Sequence, residues 1–256
     1  MADATIQLSA LTGIWRPVYA HRLALHATAD TVVLAAWRKD THGISLGPAV
    51  AAWRQAVGES TDTQRQHRRQ AAAAAVLVVL AARSWRRTRR ALATAAQRAH
   101  RAGWAAGHHL VTQDHDDDTP YDTPGSQYVL GAPDMPDDTA DATATAVLTA
   151  ALKTTANRAG RAMADSTNDP QQDAEDALEA GLDLALAADV AVSAAYGAGM
   201  LAAYLADADA AVQWLTAGDE RVCETCLSNE AAGPYSLLGA PTLPAHPRCR
   251  CCLAPA

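Results

Sequence analysis

Residues 65–107 read RQHRRQAAAAAVLVVLAARSWRRTRRALATAAQRAHRAGWAAG, a stretch with no proline and no acidic side chain. Thr61 or Asp62 offers a cap for a helix that runs through this stretch to about Gly107. Such a helix would hold some forty-five residues and extend roughly 65 Å at about 1.5 Å per residue, unless it breaks near Ala82–Ser84. A helix that long is seldom buried alone, so the stretch predicts a mainly α protein with long packed helices. Composition agrees: Phe is absent, aromatics make up 5%, and the abundant alanines let helix axes approach closely, leaving six Trp and scattered Leu and Val to supply bulk.

Working outward, residues 18–40 carry Val18, Leu23, Leu25, Val32, Val33, Leu34 and Trp37 without Gly or Pro, which predicts a first helix ending around Asp40–Gly43. Pro48 opens a short second helix that Gly58 ends. Residues 114–142 change character, with Asp114, Asp116–Asp118, four prolines and Asp137-Asp138, and predict an acidic linker. Helices are expected to resume over about Thr143–Ser166 and from Asp173 to roughly Trp214, with Gly197 and Gly199 as a candidate bend. The expected organisation is a basic helical region over 1–113, the linker over 114–142, and a C-terminal domain over 143–256. In that domain a helical hairpin over 143–214 leads into a small irregular α+β module over 215–253. The longest apolar run in the basic half, Ala71 to Ala82, is about half the length of a membrane span and is flanked by arginines, so no membrane partner is expected.

The net charge of −7 conceals an asymmetry. Residues 1–113 hold 15 Lys and Arg against 5 Asp and Glu, whereas residues 114–256 hold 6 against 23. Between Asp62 and Asp114 lie ten arginines: Arg65, Arg68, Arg69, Arg83, Arg86, Arg87, Arg89, Arg90, Arg98 and Arg101. A solvated helix normally mixes signs for i,i+4 pairing, so one-sign charge at this density points to a polyanionic partner or to an acidic protein face. Guanidinium matches phosphate and carboxylate alike, and both readings stand.

All five cysteines lie at the other end of the chain, as Cys223, Cys226, Cys249, Cys251 and Cys252, with His246 among them. A Cys-x2-Cys pair followed about twenty residues later by a His-x2-Cys pair is the spacing by which short loops surround a tetrahedral Zn2+. An odd cysteine count and the lack of a secretory signal in the opening residues weigh against a disulfide module. A catalytic zinc would keep one position open for water. Here candidate ligands outnumber the places, which favours a closed, structural site drawn from Cys223, Cys226, His246, Cys249 and Cys251. A zinc-supported nuclease or effector enzyme is the alternative, although the remaining histidines are scattered and lack the clustering that such an enzyme needs. A zinc-finger regulator would need a recognition helix after the second ligand pair, and only four residues remain after Cys252.

The run Trp214-Leu-Thr-Ala-Gly-Asp219-Glu-Arg-Val-Cys223-Glu-Thr-Cys226, followed by Pro244-Ala-His246-Pro-Arg-Cys249-Arg-Cys251, resembles the C-terminal signature of the Mu F-like phage head morphogenesis proteins, also called minor head or minor capsid proteins. The likeness covers roughly residues 187–253. It extends to small residues before the Trp, matched by Tyr196-Gly-Ala-Gly, and it departs at Asp189 and Ser193, near where the family often carries a Thr-Glu pair, and at the additional Cys252. The resemblance implies a virion component of low copy number at the portal vertex or on packaged DNA, with portal or major capsid protein as partners. It implies residence in the phage head after assembly in the host cytoplasm, and no enzymatic turnover.

Overall fold

The structure, a computed structural model, describes residues 15–58, 64–112, 132–206, 211–216, 222–246, 249 and 251–256. It is mainly helical with a small antiparallel sheet near the C-terminal end. Helix α1 spans Trp15–Thr41 and is followed by Gly43 at φ 70°. Helix α2 spans Gly47–Val57, with Pro48 in its first turn and Gly58 at φ 55° behind it. In each case a glycine takes the left-handed conformation that other residues resist.

The long basic stretch is two helices, α3 over Arg65–Ala81 and α4 over Arg86–Thr112, parted where the sequence marked a break. The Trp85 indole donates to Leu80 O at 2.9 Å across that break. Helix α5, Asp137–Asp165, begins six residues before the expected start, so Asp137 and Asp138 belong to its first turn and not to a linker. Carboxylates there oppose the positive end of the helix dipole, which makes an acidic segment a suitable helix start. Of the rest of the expected linker, 132–136 have no regular structure and 114–131 lie outside the described residues.

The single helix expected from Asp173 to about Trp214 is a further correction. Asp169 caps α6, Pro170–Glu179, by accepting from the backbone N–H groups of Gln171 and Gln172. Gly181, at φ 60°, then separates α6 from α7, Leu182–Leu205. Helix α7 passes through Gly197 and Gly199, the candidate bend, without interruption. Trp214 lies in a strand, β1 over Ala211–Leu215, whose buried residues Val212 and Trp214 alternate with half-buried ones as strand geometry requires. After α8, Glu224–Ala232, come β2, Tyr235–Ser236, and β3, Cys252–Pro255. The sheet order is β2-β1-β3, with Trp214 opposite Leu253 and Leu215 opposite Cys252. The stretch Pro170–Leu205 has the length and mean hydropathy, 1.5, to cross a membrane, and 61% of its apolar window is buried within the protein, as in a core helix.

The chain forms two compact units whose segments interleave along the sequence, whereas the expected domains followed chain order. One unit comprises Met1–Ala29, Ala93–Ala140 and Asp189–Ala256, and the other Asp30–Leu92 and Asp141–Ala188. We call them the cysteine unit and the tryptophan unit.

In the tryptophan unit Trp37 and Trp85 stack with ring centroids 4.7 Å apart. The Trp37 indole donates to Leu178 O at 3.0 Å and that of Trp53 to Arg68 O at 3.1 Å, so these apolar bodies are buried without orphaned N–H groups. Asp40, at the end of α1, accepts from both the backbone N–H and the hydroxyl of Thr88 at 2.9 Å, and so caps the start of α4. In return Arg83 donates to the Asp40 and His42 carbonyls at the end of α1. In the cysteine unit α4 and α7 meet almost backbone to backbone. A Cβ on Gly103 would stand 2.0 Å from Tyr196 O, and one on Gly199 2.0 Å from His100 O, so neither position admits a side chain.

Candidate metal centre

Both halves of the cysteine cluster arise from local turns. Cys223 is the N-cap of α8, and its sulfur accepts from the Cys226 backbone N–H at 3.4 Å, the reach that a Cys-x2-Cys spacing allows at a helix start. The second half is a turn in which the Cys249 N–H donates to His246 O at 3.0 Å. Strand β1 brings the halves together. It pairs with β3, which follows the second half directly, and it holds α8 through Gln213, whose amide donates to Glu230 O at 2.7 Å, and Thr216, whose N–H and hydroxyl donate to the Glu230 carboxylate.

Cys226 is the hinge of the cluster. Its sulfur is 3.4 Å from His246 Nε2 and 3.8 Å from the Cys249 sulfur. Two overlapping groups result: Cys223, Cys226 and His246, and Cys226, Cys249 and Cys251, with the ligand atoms of each group within 4.8 Å of one another. A tetrahedral Zn2+ with bonds of about 2.3 Å to sulfur separates its thiolates by about 3.8 Å, so the donor set and its spacing fit a metal ion. All five cysteines are free thiols and no disulfide is formed. Cys252 opens β3 outside both groups.

The thiols of the cluster divide a scarce negative charge. Burial pushes the Cys226 thiol up to about 12. The Cys251 thiol donates to Cys249, which brings Cys249 down to about 5, and the same bond together with burial drives Cys251 upward. The backbone N–H of Cys226 lowers Cys223, whereas burial raises Cys252 to about 12. Sulfurs packed this closely and this far from water carry few thiolates by themselves, and a divalent cation supplies the charge that lets several ionise together.

A residue that sequence reading passed over holds the second half in place. Arg22, on α1 and 4% exposed, donates to Cys251 O at 2.5 Å, Cys249 O at 2.9 Å and Ser193 Oγ at 3.0 Å, and its guanidinium lies 5.8 Å from the Tyr196 ring centroid. Beside it His26 pairs with Asp189 at 2.7 Å and lies 3.4 Å from Ser193. Asp189 and Ser193 are therefore parts of a polar network beside the cysteine loop, buried at Arg22 and Ser193 and half-buried at His26 and Asp189. No local pattern identifies Arg22, which is 229 residues from Cys251. Asp219, Pro247, Arg248 and Arg250 of the C-terminal signature lie outside the described residues.

The ten arginines divide into two sets. Six are engaged by the chain itself: Arg65 and Arg69 by Asp165, Arg68 by the Trp53 ring, Arg83 by the carbonyls ending α1, Arg87 by Asp40, and Arg101 by Asp134. The other four, Arg86, Arg89, Arg90 and Arg98, are exposed and make no ion pair among the described residues. Arg86, Arg89 and Arg90 stand at i, i+3 and i+4 on α4 and so share one face, while Trp85 and Thr88 between them point inward.

No family model, no curated protein and no solved structure matches the chain.

Proposed function

We propose that the chain is a structural virion protein, a minor head component of the Mu F-like kind, whose C-terminal module closes on a zinc ion. The convergence of Cys223, Cys226, His246, Cys249 and Cys251 in two overlapping groups that share the buried Cys226 carries this reading, together with the signature residues around them. The first two cysteines with His246 and Cys249 supply the four ligands, and Cys251 serves as the thiol that donates to Cys249. Zinc in this role closes the module and adds no reaction. The unpaired face of Arg86, Arg89 and Arg90 contacts packaged DNA, where phosphate contacts need no sequence reading. An enzymatic alternative draws on the order Asp189, His26, Ser193, which is that of a hydrolytic triad. Ser193 is 3% exposed and is held by Arg22, which bars a substrate from its oxygen.

Elemental analysis of the purified protein tests the ligand set. One zinc per chain is expected, lost in Cys223→Ser and Cys249→Ser and kept in Cys251→Ser; a metal-free, disulfide-bonded protein would sink the proposal. Mass spectrometry of purified phage heads tests the location, and absence of the chain from them would end the virion reading. For the α4 face, replacing Arg86, Arg89 and Arg90 by Gln should lower the salt slope of duplex binding by about 3, one unit per phosphate contact.

A further inference from the structure

A pocket of about 640 Å³ opens in the tryptophan unit, lined by Arg65, Gln66, Arg69 and Gln70 of α3 and by Asn157 and Arg161 of α5. The lining residues are spaced four apart on each helix, so each helix turns one continuous polar face to the pocket. The two helices are held together beside it by a close crossing, where a Cβ on Gly160 would stand 2.4 Å from Ala73 N. The helix axes are thus fixed by backbone contact, and the side chains that line the pocket, most of them exposed, reach out from a fixed base.

The charge of the pocket is out of balance. Three guanidinium groups face one neighbouring carboxylate, Asp165, which accepts from Arg69 at 3.0 and 2.5 Å and lies 3.7 Å from Arg65. Arg65 and Arg69 also sit in the first turns of α3, which has no acidic residue in its first turn, and cations there oppose the helix dipole. The two positive charges left after Asp165 match a phosphomonoester dianion better than a carboxylate or a single phosphodiester, each of which carries one charge. The volume lies within the range of about 300–1,000 Å³ typical of small-ligand pockets and far exceeds the needs of a lone phosphate ion. Three carboxamides, of Gln66, Gln70 and Asn157, offer the paired donors and acceptors that base edges and sugars require.

We propose that this pocket binds the terminal phosphate of a nucleotide, with Arg65, Arg69 and Arg161 on the phosphate and the carboxamides on the nucleoside. The ligand is either a free nucleotide or the phosphorylated end of a nucleic-acid strand. The site depends on neither the cysteine cluster nor the family reading, and it is separate from the α4 arginine face.

Titration of the full chain with adenosine monophosphate tests it, with circular dichroism to check folding of each variant. Wild type should bind adenosine monophosphate and not adenosine. Arg161→Gln should weaken binding about tenfold, the worth of one charge-assisted contact. Asp165→Asn should tighten it, because the competing carboxylate is removed, and this opposite sign separates a phosphate site from general loss of structure. Asn157→Ala should weaken adenosine monophosphate and leave inorganic phosphate unchanged. Affinity unaltered by both Arg161→Gln and Asp165→Asn, or equal binding of adenosine, would overturn the proposal. Competition by an end-phosphorylated oligonucleotide and not by its end-hydroxyl counterpart assigns the site to strand ends, and competition by neither assigns it to free nucleotides; both uphold a monoester pocket. Equal competition by the two oligonucleotides rejects it. Replacing Arg86, Arg89 and Arg90 should leave every one of these affinities unchanged, so a failure of the DNA-contact reading is visible separately.

Discussion

The two compact units solve one problem, a helical core without phenylalanine, with the same means in different proportion. The tryptophan unit fills space with large rings: Trp37, Trp53 and Trp85, with the indole N–H of each donating to a backbone carbonyl. The cysteine unit buries the rings of Tyr196, Tyr204 and Trp214 and also removes space, bringing α4 and α7 together through Gly103 and Gly199, at approaches closer than that of Gly160 to Ala73 in the tryptophan unit. Its last segment is a three-stranded sheet with one short helix, too small a set of elements to bury a large core, and it carries the cysteine cluster that could hold a metal ion. Bulk can shrink and be partly repacked, whereas a contact between backbones has no slack and a metal site has no partial form.

That contrast breaks most sharply at the cluster. Cys226→Ser, or chelation of wild type, should unfold α8 and the sheet while leaving the tryptophan unit protected, because Cys226 is shared by both candidate groups. Zinc-dependent modules owe about 10 kcal/mol or more of apparent binding energy to their ion, so the effect should be all or none. Hydrogen exchange read by mass spectrometry checks it, and intact protection of 222–246 after chelation would contradict a structural metal. Next in size, Trp37→Ala should cost about 3–5 kcal/mol, from the lost ring and the cavity left beside Trp85, and denaturant unfolding should place that loss in the tryptophan unit. Smaller, though larger than one methyl group would cost elsewhere, is Gly199→Ala. Its Cβ would meet His100 O at 2.0 Å, so the helices must separate, at about 1–3 kcal/mol. Ala105→Gly in the same unit is the control that loosens a helix without a clash, and a milder loss for Gly199→Ala than for this control would refute backbone contact as the limiting feature.

How much of this was legible depends on how far apart the interacting residues lie in the chain. Gly43, Pro48, Gly58 and the gap at 82–85 marked helix ends correctly because caps and breaks act within a few residues. The cysteine spacing was readable for the same reason, since each half of the cluster is a single turn. Gly181 fell unremarked inside the single helix expected from Asp173, and the candidate bend was placed at Gly197 and Gly199. The first ends a helix through its positive φ, while the others sit in an unbroken helix whose neighbour, α4, lies nearly a hundred residues away. Strand β1 is too short for two-residue alternation to outweigh the helical pattern before it. Charge density on the arginine stretch was plain, but its partition was not, because Asp165 is 96 residues from Arg69 and Arg22 reaches its carbonyls from more than 220 away.

The subtlest separation of the two units is by pH. Burial lowers the pKa of His21, His100 and His109 from the ordinary 6.5, and all three belong to the cysteine unit. A histidine whose folded pKa is depressed takes up its proton more readily once unfolded, so stability is complete above pH 6.5 and declines as pH falls below it. The tryptophan unit has a different threshold. Asp165 is held below its usual 3.8 by hydrogen bonds from Arg69, so its contribution persists above that value and is lost only as pH falls through the lower, folded pKa. The pair is largely exposed and its worth is correspondingly small. Between pH 6.5 and 3.8 the cysteine unit should therefore lose exchange protection while the tryptophan unit keeps it, and His100→Gln combined with His109→Gln should flatten the decline. Parallel loss in both units across that window would mean that the buried histidines do not set the acid sensitivity of the unit that contains them.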